Sequence, residues 1–187
     1  RFDSLNVHPA VTAEVDAHRA WVDRAPDREL LLTLRTSELP FGLVQALRLD
    51  TGYVNPVEWS GTMPMMDWLP TAAEAEWVLR ETSTGRENMA IDWRFGRGEL
   101  VKIRLRNDRH TLHPMSHPIH LHGQRFLVLA RNGVAQQNLG WKDTVLLPVG
   151  ETADILVEMS NAGRWMLHCH IAEHLEAGMH MGFVVNE

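Results

Sequence analysis

Cys169 is the only cysteine in a chain of 187 residues, and it stands between His168 and His170 in the run GRWMLHCHIAEHLEAGM, residues 163–179. His174 follows five residues after the cysteine, and Met179 five after that. A thiolate, an imidazole and a thioether at these spacings can meet at one metal ion. With one more imidazole they form the His₂Cys trigonal set with a weak axial methionine, the ligand set of electron-transfer copper. A source for that imidazole lies upstream, in His117-Pro118-Ile119-His120-Leu121-His122-Gly123.

GRWMLHCH reads as a strand, and successive strand side chains point to opposite faces. Cys169 therefore faces one way, and His168 and His170 the other. His120 and His122 share a face, while His117, an odd number of residues away, can take the opposite one. Parity thus sorts the ligands into two sets. Cys169, His117, His174 and Met179 form one site; His120, His122, His168 and His170 form half of a second. A lone buried cysteine is ordinarily a small hydrophobe, and a lone histidine beside it a satisfied core residue. Two motifs sorted by parity make that plainer account a poor one. Zinc also takes Cys and His, but a methionine in the fourth place favours copper.

The pair HPIHLHG and HCHIAEHLEAGM resembles the C-terminal domain of the multicopper oxidases, the family of laccases, ascorbate oxidase and the bacterial copper-resistance oxidases. Both family signatures, H-x-x-H-x-H-G and H-C-H-x-x-x-H-x-x-x-x-M, are present. The resemblance implies an all-β, cupredoxin-like Greek-key sandwich with short helical segments. It implies that His117, Cys169, His174 and Met179 hold a type 1 copper, that His120 serves a type 2 copper, and that His122, His168 and His170 serve a type 3 pair. Cys169 with His168 and His170 would carry single electrons from a small reducing substrate to a trinuclear cluster that reduces O₂ to water. It also implies a periplasmic or secreted protein. Two departures stand out: Gln124 occupies a place where many members have a further histidine, and Leu175 one where some bacterial members have an acid, with Glu173 and Glu176 close by.

The family's cluster needs eight histidines, four of them from H-x-H pairs in an N-terminal domain. Outside the two motifs this chain has only His8, His18, His110, His113 and His180, none in such a pair. The remaining ligands are expected from a missing N-terminal cupredoxin domain or from a neighbouring subunit. Two other readings are a free-standing blue copper electron carrier and a nitrite-reductase-like protein. The carrier has no use for four histidines on the far face, and the reductase needs one catalytic copper where the double H-x-H arrangement suits more.

The net charge of −6, without a basic run, makes nucleic acid a poor partner. No apolar stretch approaches the roughly 20 residues of a membrane span. With its one cysteine assigned to metal, the chain has no internal disulfide. It opens at Arg1 without a signal-like segment, which suggests a processed chain or a fragment.

Residues 1–26 read as a connector from a preceding domain and 27–187 as the copper-binding domain. In the connector, Val11 and Val15 lie on one face of a short helix, with Trp21 further on, and call for another domain to pack against. Strands are expected over ELLLTLRT (29–36), GYVNPVEW (52–59), 100–106, 125–130, 143–147, 153–158 and 183–185. In the strand 100–106, Val101, Ile103 and Leu105 should face in and Lys102, Arg104 and Arg106 out. Thr71–Arg80 reads as a capped helix or as the approach to a strand at Trp77. Asn132-Gly133 signals a hairpin turn, and Gly178 a helix end. Met63, Met65 and Met66 read as gap-filling packing, with reception of Cu(I) by their thioethers as the sharper alternative. Trp59, Trp68 and Trp141 read as core, or else as the rim of an aromatic-substrate site.

Overall fold

The computed structural model describes residues 8–37 and 75–187, together with 39, 41–42 and 44. Two twisted sheets face each other. The first has the order β2-β1-β4-β9-β6-β7 and the second β3-β11-β10-β5-β8. In chain order the strands are β1 Arg28–Thr36, β2 Ala75–Glu81, β3 Trp93–Gly96, β4 Leu100–Asn107, β5 His117–Leu121, β6 Arg125–Arg131, β7 Val134–Ala135, β8 Thr144–Leu147, β9 Thr152–Glu158, β10 Gly163–Cys169 and β11 His180–Asn186. Residues 75–80 are thus strand and not helix. Their burial is nearly continuous, which favours a strand packed on both faces over an amphipathic helix. The expected strand at 52–59, Met63, Met65, Met66, Trp59 and Trp68 lie outside the described residues.

Pairing is mostly antiparallel, but β1 lies parallel to β4 and β11 parallel to β3. A parallel pair needs a long crossover, and alternation along a single strand carries no information about its neighbour's direction. The Asn132-Gly133 turn forms as its residues suggest. Both have positive φ, 49° and 78°, and they join β6 to β7. The inward faces of the two sheets share one core that includes Leu30, Leu32, Ile103, Ile119, Phe126, Ile155, Leu167 and Cys169.

The outer face of the first sheet is also covered. Helix Pro9–Asp16 and the 3₁₀ turn Arg19–Asp23 lie across it, and Val15, Trp21 and Val22 pack on Leu127, Leu129 and Leu156. The apolar residues of this segment therefore find their partner within the described residues themselves; Val11 stays exposed. The same cover corrects the reading of β4. Lys102 points away from the shared core, as alternation requires, yet is 0% exposed. Its ammonium donates to the carbonyls of Trp21, Val22 and Arg24 at 3.1, 2.8 and 2.6 Å and lies 3.3 Å from Asp154. Arg104 makes a bidentate pair with the same carboxylate, at 2.7 and 2.9 Å.

A buried ammonium with this many partners is tolerable only while all of them are present. Lys102→Met leaves three carbonyls without their donor and should lower stability by about 3 kcal/mol. Urea unfolding measures it; an unchanged midpoint would mean that the clamp contributes nothing.

Candidate metal centre

β5 and β10 are neighbours in the second sheet, with Leu121 opposite Leu167, His120 opposite His168 and Ile119 opposite Cys169. Odd-numbered positions on both strands turn into the core: His117, Ile119, Leu121, Leu167 and Cys169 are all buried. His120 and His168 turn to the other side, and His122 continues that face beyond the strand end. The register therefore places two groups of ligands back to back.

The inner group is His117, Cys169 and His174, whose ligand atoms all lie within 4.8 Å of one another. The Nδ1 atoms of His117 and His174 are 3.1 Å apart, and they lie 3.8 and 3.6 Å from the Cys169 sulfur. Relative exposure is 1% for His117 and 0% for Cys169 and His174. A short helix, Ala172–Glu176, carries His174 back towards the cysteine. Gly178 ends it at φ 109°, and the amide of Met179 donates to the His174 carbonyl at 2.9 Å. The amide of Cys169 in turn donates to the Met179 carbonyl at 3.0 Å. Met179 is fully buried in the same core as Cys169.

This group is electrically odd without a cation. Burial pushes the His117 imidazole down to about 3 and the Cys169 thiol up to about 11. His174 is held well below its ordinary value by burial first, then by His117 and His113. Two neutral imidazoles and a thiol turn their Nδ1 and Sγ atoms on one another, a cluster of soft donors, while the His174 Nε2 atom on the far side of its ring is buried with no hydrogen-bond partner among the described residues. A cation with N and S ligands at about 2.0 and 2.3 Å in a trigonal arrangement would space nitrogen from sulfur by about 3.7 Å. The observed 3.8 and 3.6 Å fit it.

The outer group is His120, His122 and His168, again within 4.8 Å of one another. Their tautomers are set from behind. His120 Nδ1 donates to the Asp143 carbonyl at 3.0 Å, with the Thr144 hydroxyl equally close, and His168 Nδ1 donates to the Cys169 carbonyl at 2.7 Å. Each is left with Nε2 as its free lone pair, the usual backing of a metal-binding histidine. His168 and His122 meet through Nε2 at 3.0 Å. Burial, and then the neighbouring His122, His170 and His180, hold His168 below its ordinary value, against the contrary pull of its bond to the Cys169 carbonyl. His170 stacks on His168 at 5.7 Å between ring centres but is exposed and stands outside the group of three.

Gln124 does not substitute for a histidine. It is buried, donating to the Asn161 carbonyl at 2.8 Å and accepting the Asn161 amide at 3.2 Å, so it ties the turn after β5 to the loop before β10. Gly123 lets that turn close: its φ is +69°, and a Cβ there would lie 2.3 Å from the Trp165 ring. Glu173 and Glu176 are exposed on the short helix. Trp141 is half-buried in the smaller cluster on the outer face of the first sheet and carries Arg125 over its ring at 4.0 Å. It also lines an open cleft of about 550 Å³ beside His120, with Gln124, Lys142 and Asp143.

A sequence model of the family described as "Multicopper oxidase" matches residues 59–187. The chain belongs to the multicopper oxidase family. Laccase-1 of Melanocarpus albomyces is 26% identical over 202 residues, an alignment covering 97% of this chain and 30% of the laccase. Multicopper oxidase mco of Staphylococcus aureus is 39% identical over 77 residues, 40% of this chain and 17% of that protein. The fold is that of a solved multicopper oxidase from Campylobacter jejuni, a metallo-oxidase by its own description. There the TM-score is 0.56 and the identity 18%, over 88% of this chain and 31% of that one. The sandwich is thus the cupredoxin-like Greek-key one, and the chain spans under a third of the length of these relatives. Multicopper oxidases use copper, and both groups have the donor chemistry for it: soft sulfur with imidazole inside, imidazole alone outside.

Of the eight candidates, His117, Cys169 and His174 gather in one group and His120, His122 and His168 in another, while His170 stacks on His168 and Met179 shares the buried core of the inner group. The sequence did not single out Trp77, which packs on both inner histidines, nor Thr144 and the Asp143 carbonyl, which orient His120. Only their places near strand ends hinted at them.

The metal-free chain should weaken in acid. The His117 imidazole titrates at about 3 when folded and at its ordinary 6.5 when unfolded, so between these values the unfolded chain binds more protons. Stability is greatest above 6.5 and declines as pH falls towards 3. Melting temperatures of the copper-free chain from pH 7 to 4 should drop progressively, and His117→Gln should flatten that slope. A slope identical in the variant would contradict the burial of a neutral imidazole.

Proposed function

We propose that this chain is the copper-bearing C-terminal part of a multicopper oxidase. His117, Cys169, His174 and Met179 hold a type 1 copper, His120 binds the type 2 copper, and His122, His168 and His170 bind the type 3 pair. Bound copper supplies one-electron transfer from a small reducing substrate and the four-electron reduction of O₂ to water. The observation that carries this reading is the sorting of ligands to opposite faces of β5 and β10 at one register.

The chain's own residues contribute three things. The backbone of β10 joins Cys169 directly to His168 and His170, a short covalent route between the two faces. The core excludes water from the inner group, which keeps its ligand field fixed. The carbonyls of Asp143 and Cys169 hold His120 and His168 with Nε2 presented outward. The outer group offers only part of a cluster, so its partner ligands come from a preceding cupredoxin domain or a neighbouring subunit, on the exposed face that carries His122 and His170.

Copper counting tests the reading against its rivals. The assembled molecule should hold about four coppers, where a blue electron carrier would hold about one and a nitrite-reductase-like protein about two. Cys169→Ser should abolish the intense visible thiolate–copper absorption while the copper on the outer face remains. Retention of that absorption would exclude the cysteine as a ligand. Met179→Leu should raise the type 1 reduction potential, because a thioether that would donate to the bound copper is lost; a potential unchanged in redox titration would remove Met179 from the ligand set.

A further inference from the structure

Trp77 packs its ring against both inner histidines. Its ring lies 4.1 Å from that of His174 with planes 31° apart, and meets His117 edge-on at 4.9 Å and 71°. It comes from β2, in the opposite sheet, and is itself buried. Much of its surroundings serves to hold it there. The Trp77 amide donates to the Ala177 carbonyl at 2.9 Å, binding β2 to the loop that carries His174 and Met179. Asn88, buried and at a positive φ of 49°, receives the Leu79 amide at 2.8 Å. Its side-chain amide donates to Glu76 at 2.9 Å and to the Trp77 carbonyl at 3.2 Å. Gly178 fits against the same patch, since a Cβ there would come within 3.1 Å of the Trp77 carbonyl and of Asn88. Asn88 and Gly178 thus lie against the Trp77 backbone, with Glu76 bonded to Asn88, and fix the stretch of β2 that carries the indole.

Sequence gives no reason for a tryptophan at this place beyond filling core. Geometry gives two. A ring lying against His174 and edge-on to His117 fixes both imidazole planes, so their Nδ1 atoms converge on the sulfur. The same ring, over a His174 with no exposed surface, closes the site to water and small anions. We propose that Trp77 is the positioning residue of the inner metal site, orienting both imidazoles and sealing the metal from exogenous ligands. The proposal rests on the assignment of His117, Cys169 and His174 as ligands.

The test compares copper-loaded wild type, Trp77→Phe, Trp77→Leu and Trp77→Ala by visible spectrum, paramagnetic resonance and redox titration, each with and without azide. Wild type and Trp77→Phe should show the same thiolate–copper absorption, with no change in that band on adding azide. Trp77→Ala should lose at least half of that band's intensity, shift the potential of the inner site, and change the same band on adding azide. Trp77→Leu keeps apolar volume without a ring plane; it should shift the potential even where it still excludes azide, and it decides the matter if Trp77→Ala does not fold. Unchanged spectra, potential and azide response in both Leu and Ala variants would overturn the role of Trp77 while leaving the ligands in place. Absence of the absorption in wild type would instead overturn the ligand assignment.

Discussion

Everything in this molecule that bears on chemistry depends on the two-residue period of a β-strand. Along β10, Leu167 and Cys169 enter the core while His168 leaves it, and along β5 His117 enters while His120 leaves. A slip of one residue between these strands would exchange the faces and mix sulfur with the outer imidazoles. The register is held by what lies on the core side. Ile119, Leu121 and Leu167 are buried between the sheets, and a shift would expose them. Hydrophobic burial on the core side thus fixes the register that sets these side chains on their two faces.

The two faces differ in kind. The inner group is dry, neutral and enclosed, with a thiol and imidazoles held away from their charged forms by burial. A soft cation reverses that preference locally, since a bound thiolate is deprotonated outright. The outer group keeps His122 exposed, with His170 exposed beside it, and takes its order from backbone carbonyls behind His120 and His168. The inner group is enclosed by the chain's own core, and the outer one lies on a face with exposed histidines.

Much of this was legible in the residues. Spacing around Cys169 picked out side chains that gather in the inner group, parity separated them from the outer histidines, and the alternation of β4, the Asn132-Gly133 turn and the Gly178 helix end all form. What escaped the sequence has a common physical cause: it depends on which element covers which. Lys102 reads as a solvent-facing cation because nothing in its own strand shows that Trp21, Val22 and Arg24 will lie over it. Trp77 reads as core filling because its contact with His174 joins residues about a hundred positions apart, one on β2 and the other on the short helix after β10. Parallel pairing of β1 with β4 and β3 with β11 was hidden for the same reason.

The claim on which all of this stands is that one strand separates two metal sites. Anomalous scattering at the copper edge from crystals of the copper-loaded protein measures that directly. One peak should lie among His117, Cys169 and His174, bonded to the sulfur, and separate density should lie against His120, His122 and His168 on the other side of β10. A map with metal on the outer histidines and none at the sulfur, or with a single ion shared by both faces, would contradict it.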